Sequence, residues 1–328
     1  MLEATLVMPD GRSVGFATYG SDVGTPVVWC HGGPGSRLEP AGFEPFVDQL
    51  GLRVIGIDRP GYGLSSPRPD RSIADWVPDG LAVADALGVQ QFLAVGVSTG
   101  GAYAFALAAT APARVRAVVA CCAMSDMRHG PSRDSMSKEI CHDVWNAPDR
   151  AAAIDVARAV FGDDGSLLMT TLGRDLCAAD TAFIAQAATD PAQETSMRAQ
   201  FAHGVQGYVD DRRADGPGWV SFDITAVDCP VVVLHGSEDT IVDPVNAQHT
   251  SESLPRRALA TSPKVASSVC RHGFASTRGR TRRPASIGAI SMCSPTKWDS
   301  STSPHETSRQ ALTETRRTSR TSATSRSK

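Results

Sequence analysis

Short apolar runs, each ended by glycine, proline or aspartate, organise the first 125 residues. Leu6–Val7 and Val14–Ala17 flank Pro9-Asp10-Gly11 and predict two short strands joined by a turn. Four further runs predict strands: Val27–Trp29 leading into Cys30, Arg53–Asp58, Phe92–Val97 and Val115–Cys122. Val231–Gly236 adds another much later. Nearly continuous apolar runs suit strands buried on both faces. Helical signals fall between them. Ser72 can cap a helix passing through Trp76 to Leu87, and an alanine-rich helix spans about 99–109. This order predicts an α/β fold with a mostly parallel central sheet flanked by helices.

Residues 125–227 break the rhythm. The stretch is helical in pattern, carries Met, Trp and Phe between charges, and is too long for a plain crossover. It reads as an inserted helical cap over the carboxyl edge of the sheet. The chain thus divides into an N-terminal core part (1–124), a cap (125–227), a C-terminal core part (228–275) and a tail (276–328).

Composition changes the picture mainly at that tail. The whole chain has a formal charge of −3. Residues 276–328 alone hold 11 Lys/Arg, 3 Asp/Glu and 22 Ser/Thr, with neither strand nor helix periodicity. Such a composition builds no core and predicts disorder. A reading-frame change near residues 252–260 would produce it. The rival reading is a basic tail for nucleic acid or anionic membrane; a lone Trp298 offers little for base stacking, which argues against nucleic acid. No apolar run reaches membrane-spanning length, and the first residues lack a secretory pattern, so a cytoplasmic protein is expected. Cys30, Cys121, Cys122 and Cys229 lie in or beside apolar runs as expected for buried free thiols, and no Cys pair has metal-ligand spacing.

The candidate chemistry centres on FLAVGVSTGG. Gly96, Ser98 and Gly100 form G-x-S-x-G directly between a strand and a helix. A tight strand-to-helix turn with small flanking residues projects the serine hydroxyl, and the helix amides beyond it favour developing negative charge. Ser98 is therefore the candidate nucleophile, with Gly96 and Gly100 forming the elbow. Acyl transfer needs two amide donors for the oxyanion. Thr99 can supply one, and Gly33, in the loop HGGPGS (31–36), the other. His31 is expected to hold that loop. The loop lacks both the P-loop ending and dinucleotide spacing, so nucleotide binding is not expected.

HGGPGS (31–36), DRPGYGLS (58–65), GVSTGG (96–101) and HGSEDTIVDP (235–244) together resemble the α/β-hydrolase fold superfamily, in the branch of proline iminopeptidases and capped esterases. The resemblance covers about residues 5–250. It implies Asp239, just past a late strand, as the triad acid, with Asp126 as the alternative after the preceding strand. It implies a histidine after the last strand. His272, 33 residues beyond Asp239, is the candidate, although Arg271 stands where the family has glycine. His249 follows Asp239 too closely to return to Ser98.

The implied function is hydrolysis of carboxylic esters through a Ser98–His272–Asp239 acyl-enzyme, without metal or organic cofactor, on a small ester or short peptide. The alternatives are a proline iminopeptidase-like aminopeptidase, a carbon–carbon bond hydrolase, or a catalytically impaired member lacking its native histidine. Thr99 and Gly100 stand where proline iminopeptidases have a tryptophan. Acidic cap residues would mark the peptidase, and Asp175, Asp180, Glu194 and Asp210 are the candidates.

Overall fold

The computed structural model describes residues 1–136, 141–168, 177, 181, 191–262 and 313–314, with the backbone alone at 191–194, 262 and 313–314. The apolar runs form the expected strands: β1 (Leu2–Val7), β2 (Ser13–Gly20), β3 (Thr25–Cys30), β4 (Leu52–Ile57), β5 (Phe92–Val97), β6 (Val115–Cys121) and β8 (Val231–Gly236). β7 (Ala202–Val205) lies in the insert. β9 (Arg257–Ser262) and β10 (Thr313–Glu314) complete the set among the described residues. The sheet order is β10-β1-β2-β4-β3-β5-β6-β8-β9. From β4 to β9 every pairing is parallel, while β1, β2 and β10 join antiparallel at one edge. The β1–β2 turn closes through Met8 N–H to the Arg12 carbonyl, with Gly11 at φ +83°.

Side chains alternate across the sheet with the strand period of two. Val28, Cys30, Ile55, Ile57, Phe92 and Ala94 enter one buried cluster with α2 (Val77–Ala86) and α3 (Gly100–Thr110). Val27, Trp29, Val54 and Val97 enter a second with Val47 of α1 (Glu44–Gln49). Both faces are therefore covered, which is why the strands are apolar throughout. The helix expected from Ser72 begins as a 3-10 turn, Ala74–Trp76, before α2. Ser72 and Asp75 cap it reciprocally: the Asp75 carboxylate accepts from Ser72 N–H at 2.8 Å, and Ser72 Oγ accepts from Asp75 N–H at 3.3 Å.

The insert between β6 and β8 is helical as expected: α4 (Gly130–Asp134), α5 (Asp143–Asn146), α6 (Arg150–Phe161), α7 (Pro191–Gln200) and α8 (Gln206–Asp215). It has its own apolar cluster, with Phe161, Phe201 and Tyr208 in edge and tilted ring contacts. Met124, Met127, Met136, Cys141 and Val242 form another that ties it to the loop after β8. Cys30, Cys121 and Cys122 are buried and outside any disulfide, and burial pushes the Cys30 thiol up to about 12. Cys229 is only half-buried, against expectation, because it lies at the approach to β8. No helix among the described residues is long and apolar enough to cross a membrane.

Two features depart from the sequence reading. The family pattern fades after Glu252, yet α9 (Val245–Ser253) leads into β9, which pairs with β8 along its full length. Within the tail, Thr313 and Glu314 pair with Thr5 and Ala4 of β1. The rest of the tail and the stretch before His272 lie outside the described residues.

Candidate active site

Parallel pairing of β5, β6 and β8 brings their carboxyl ends to one edge. Ser98 follows β5 directly, at φ +52°, a left-handed conformation rare for a residue with a side chain. Its N–H donates to the Cys121 carbonyl at 3.0 Å, and its own carbonyl accepts from Met124 N–H at 3.2 Å, so β6 and its exit loop clamp the turn. The flanking glycines are required by contact. A Cβ on Gly96 would lie 2.5 Å from the Gly100 carbonyl oxygen, and one on Gly100 only 2.0 Å from that of Cys30. Ser98 is largely buried, 9% exposed.

The HGGPGS loop lies against this elbow. A Cβ on Gly33 would come 2.7 Å from Thr99 Oγ1, so Gly33 and Thr99, the two expected oxyanion donors, are neighbours. His31 is fully buried. Its Nε2 accepts from Arg59 N–H at 3.1 Å, which leaves the proton on Nδ1 to meet the Gly32 carbonyl at 2.7 Å. Burial, with Arg59 adjacent, holds its pKa well below the ordinary histidine value. It is a neutral strut, as expected, rather than a base.

Arg59, from DRPGYGLS, fastens the same loop. It donates to the His31 carbonyl and, at 2.7 Å, to the Gly32 carbonyl. Asp211 of α8 accepts from Arg59 Nε and Nη2, from Arg71 at 2.5 Å, and from the Tyr62 and Tyr103 hydroxyls at 2.8 Å each. Asp211 is fully buried, yet the two guanidiniums overcome that burial and keep its carboxyl far below the usual carboxylate range. Gly61, at φ +85°, meets Gly207 backbone to backbone: a Cβ there would lie 2.9 Å from the Gly207 Cα. The start of α8 thus rests on the loop that steadies Gly33.

The next residue, Arg212, reaches the elbow itself. It donates to Thr99 Oγ1 at 2.5 Å and to Met124 Sδ at 3.0 Å, and pairs with Asp215 at 2.5 Å. Asp215 also accepts from Trp145 Nε1 at 2.8 Å. Burial pushes the Asp215 carboxyl up to about 6 despite Arg212. Neither Asp211 nor Arg212 was singled out from the sequence, where only their neighbour Asp210 was a candidate.

Asp239 sits in the loop after β8, 3% exposed. Its Oδ1 accepts from Ile241 N–H at 2.9 Å and Val242 N–H at 3.0 Å, which aims the carboxyl group. Buried His235, from β8, is 3.6 Å from Oδ2 and donates Nε2–H to the Val242 carbonyl at 2.7 Å. With β6 between them, β5 and β8 run two strand spacings apart, about 10 Å, and Ser98 and Asp239 follow their carboxyl ends at the same edge of the sheet. Asp126, the alternative acid, is otherwise engaged. Arg128 holds its carboxylate at 2.5–3.1 Å, and Trp219 N–H donates at 3.1 Å. Partial burial would raise its pKa, but these donors hold it below the ordinary value.

His272 lies outside the described residues, as do Asp175 and Asp180, and the side chain of Glu194. Asp210 is buried in an ion pair with Arg150 at 2.6 and 2.9 Å, so it is not presented to a substrate ammonium. His249, on α9, meets Ser125 Oγ at 2.7 Å and stacks on His129 at 3.9 Å between ring centroids. Burial and the neighbouring His129 lower its pKa. Nothing in the sequence marks this pair, since 120 residues separate its members.

Comparison with known proteins agrees with the fold. The model of the alpha/beta hydrolase fold family matches residues 25–264, and the chain belongs to that family. It is 32% identical over 258 residues to a 2-hydroxymuconate semialdehyde hydrolase of Pseudomonas putida, covering 76% of this chain and 84% of that protein. A probable proline iminopeptidase of Streptomyces coelicolor is 35% identical over 118 residues, and the match spans only 34% of this chain and 36% of that one. Among solved structures, the enol-lactonase of Burkholderia xenovorans superposes with a TM-score of 0.61 at 18% identity, covering 81% and 93% of the two chains. Fold and relatives are those of hydrolase and esterase-type enzymes.

Proposed function

We propose that the protein is a serine hydrolase of carboxylic esters. Ser98 attacks the ester carbonyl as His272 takes its proton, Asp239 steadies the imidazolium, and the Gly33 and Thr99 amides hold the oxyanion. The alcohol leaves with the proton from His272. Water, deprotonated by the same histidine, then releases the acid from Ser98. The observation that carries this reading is the left-handed Ser98 in a turn whose glycines leave no room for a side chain. Such strain is retained at nucleophile elbows because it exposes the hydroxyl.

The relative named for 2-hydroxymuconate semialdehyde favours a second reading on the same residues, cleavage of a carbon–carbon bond beside a ketone. The aminopeptidase reading has less behind it: the iminopeptidase match covers about a third of the chain, and Asp210 is committed to Arg150. The test is release of p-nitrophenol from p-nitrophenyl butyrate. Ser98→Ala and His272→Ala should each lower kcat by roughly 10⁴-fold or more. Activity that survived Ser98→Ala would remove the nucleophile assignment. A folded parent without turnover would favour the impaired alternative.

A further inference from the structure

A cavity of about 360 Å³ opens beside α8, lined by Arg133, Trp145, Arg212, Arg213, Gly216 and Pro217. This described lining holds three guanidinium groups and no carboxylate. Two acids touch those groups from elsewhere. Asp215 pairs with Arg212 and also takes the Trp145 N–H, and Asp70 meets Arg213 at a long 3.4 Å. Arg133 has no acid partner among the described residues. It donates to the Gly216 carbonyl at 2.8 Å and lies 4.7 Å over the Trp145 ring.

The donors here are under-satisfied. Arg212 is 1% exposed, yet two of its contacts are to sulfur, Met124 Sδ and Cys141 Sγ at 3.5 Å. The Nε atoms of Arg212 and Arg213 are buried without a hydrogen-bond partner among the described residues. A buried donor left unpaired is costly, and a planar guanidinium fork matches the two oxygens of a carboxylate. The indole wall adds a flat apolar surface for the body of a ligand.

We propose that this cavity binds a small organic carboxylate with a planar or apolar body. Arg212 joins the cavity to Thr99, the neighbour of Ser98, so the carboxylate is placed to be the remote acid group of the acyl substrate. That last step rests on the serine-hydrolase reading, whereas the binding site itself does not. The lining, rather than the triad, would then select half-esters of dicarboxylic acids over neutral esters.

Two experiments on the full chain separate these points. Calorimetric titration with phthalate is run on the parent, Ser98→Ala, Arg133→Met and Arg213→Met. Binding retained in Ser98→Ala and weakened at least tenfold in either folded arginine variant is expected. Absent binding in the parent, or unchanged binding in both arginine variants, would overturn the site whatever the enzyme hydrolyses. The second compares mono-p-nitrophenyl glutarate with p-nitrophenyl butyrate. At least a tenfold preference in kcat/KM for the glutarate, lost in Arg133→Met while butyrate turnover is kept, identifies the carboxylate as the substrate's own. Phthalate binding with no such preference assigns the site to a separate small acid. Lack of turnover on both esters removes the hydrolase reading and leaves the titration to decide the site.

Discussion

Asp211 and Arg212 follow one another on α8, and both are buried, yet their surroundings differ in kind. Asp211 accepts from two arginines and two tyrosine hydroxyls, all within 3.1 Å. Arg212 has one close carboxylate, one hydroxyl and two sulfurs, and its Nε is left over. The first junction is a closed network that joins the insert to the HGGPGS loop. The second borders the cavity and leaves one donor unfilled. Buried charge by itself therefore does not distinguish architecture from binding; the state of its partners does.

Breaking the closed junction should have the largest effect. Asp211→Asn leaves Arg59 and Arg71 buried beside a neutral group, and should destabilise the fold by about 3–5 kcal/mol in urea unfolding. Esterase kcat should fall with it, because Arg59 holds the carbonyls before Gly33. Arg212→Met should cost less, about 2 kcal/mol, since its donors are only partly filled and the Asp215 carboxyl it leaves readily takes a proton. If Arg212→Met proved the more destabilising of the two, the contrast between the junctions would be wrong. Tyr62→Phe removes one of Asp211's four partners and should cost about 1.5 kcal/mol, with little change at the elbow.

The finest probe is pH. The Asp215 carboxyl is raised to about 6 in the fold, above its ordinary value of 3.8. The native state thus holds a proton that the unfolded chain has released. The stability from Asp215 is full below about pH 4 and is lost as pH rises through 6, with a slope no steeper than about 1.4 kcal/mol per pH unit. Asp211 runs the other way. Its depressed pKa contributes stability above about pH 4 that is lost in stronger acid. Measured at pH 4, 5, 6 and 7, the urea midpoint of the parent should fall relative to that of Asp215→Asn as pH rises, because the asparagine lacks the titrating carboxyl. Parallel curves would show that Asp215 does not titrate in this window.

The same contrast explains what the sequence made legible. β3 to β6 and β8 are apolar along their length because both faces of the sheet are covered, so their ends could be read to within a residue or two. The elbow was legible because Gly96, Ser98 and Gly100 fall within five consecutive residues between two clear elements, although the contact that forces Gly100 comes from distant Cys30. β9 was not legible: it lies outermost beside β8, Leu259 is 44% exposed, and an exposed strand needs no apolar signature. The Asp211 network was hidden for a different reason. Its partners lie 108–152 residues away, and a buried carboxylate surrounded by distant donors is written like a surface one.

The left-handed backbone of Ser98 costs roughly 1–2 kcal/mol that glycine would not incur at the same angles. Folding and chemistry therefore select opposite residues at this position. In a library screened only for resistance to proteolysis, glycine should displace serine at position 98, and the enriched clones should be more stable and inert. A lineage released from its reaction would drift the same way, so the serine persists only under selection for its hydroxyl.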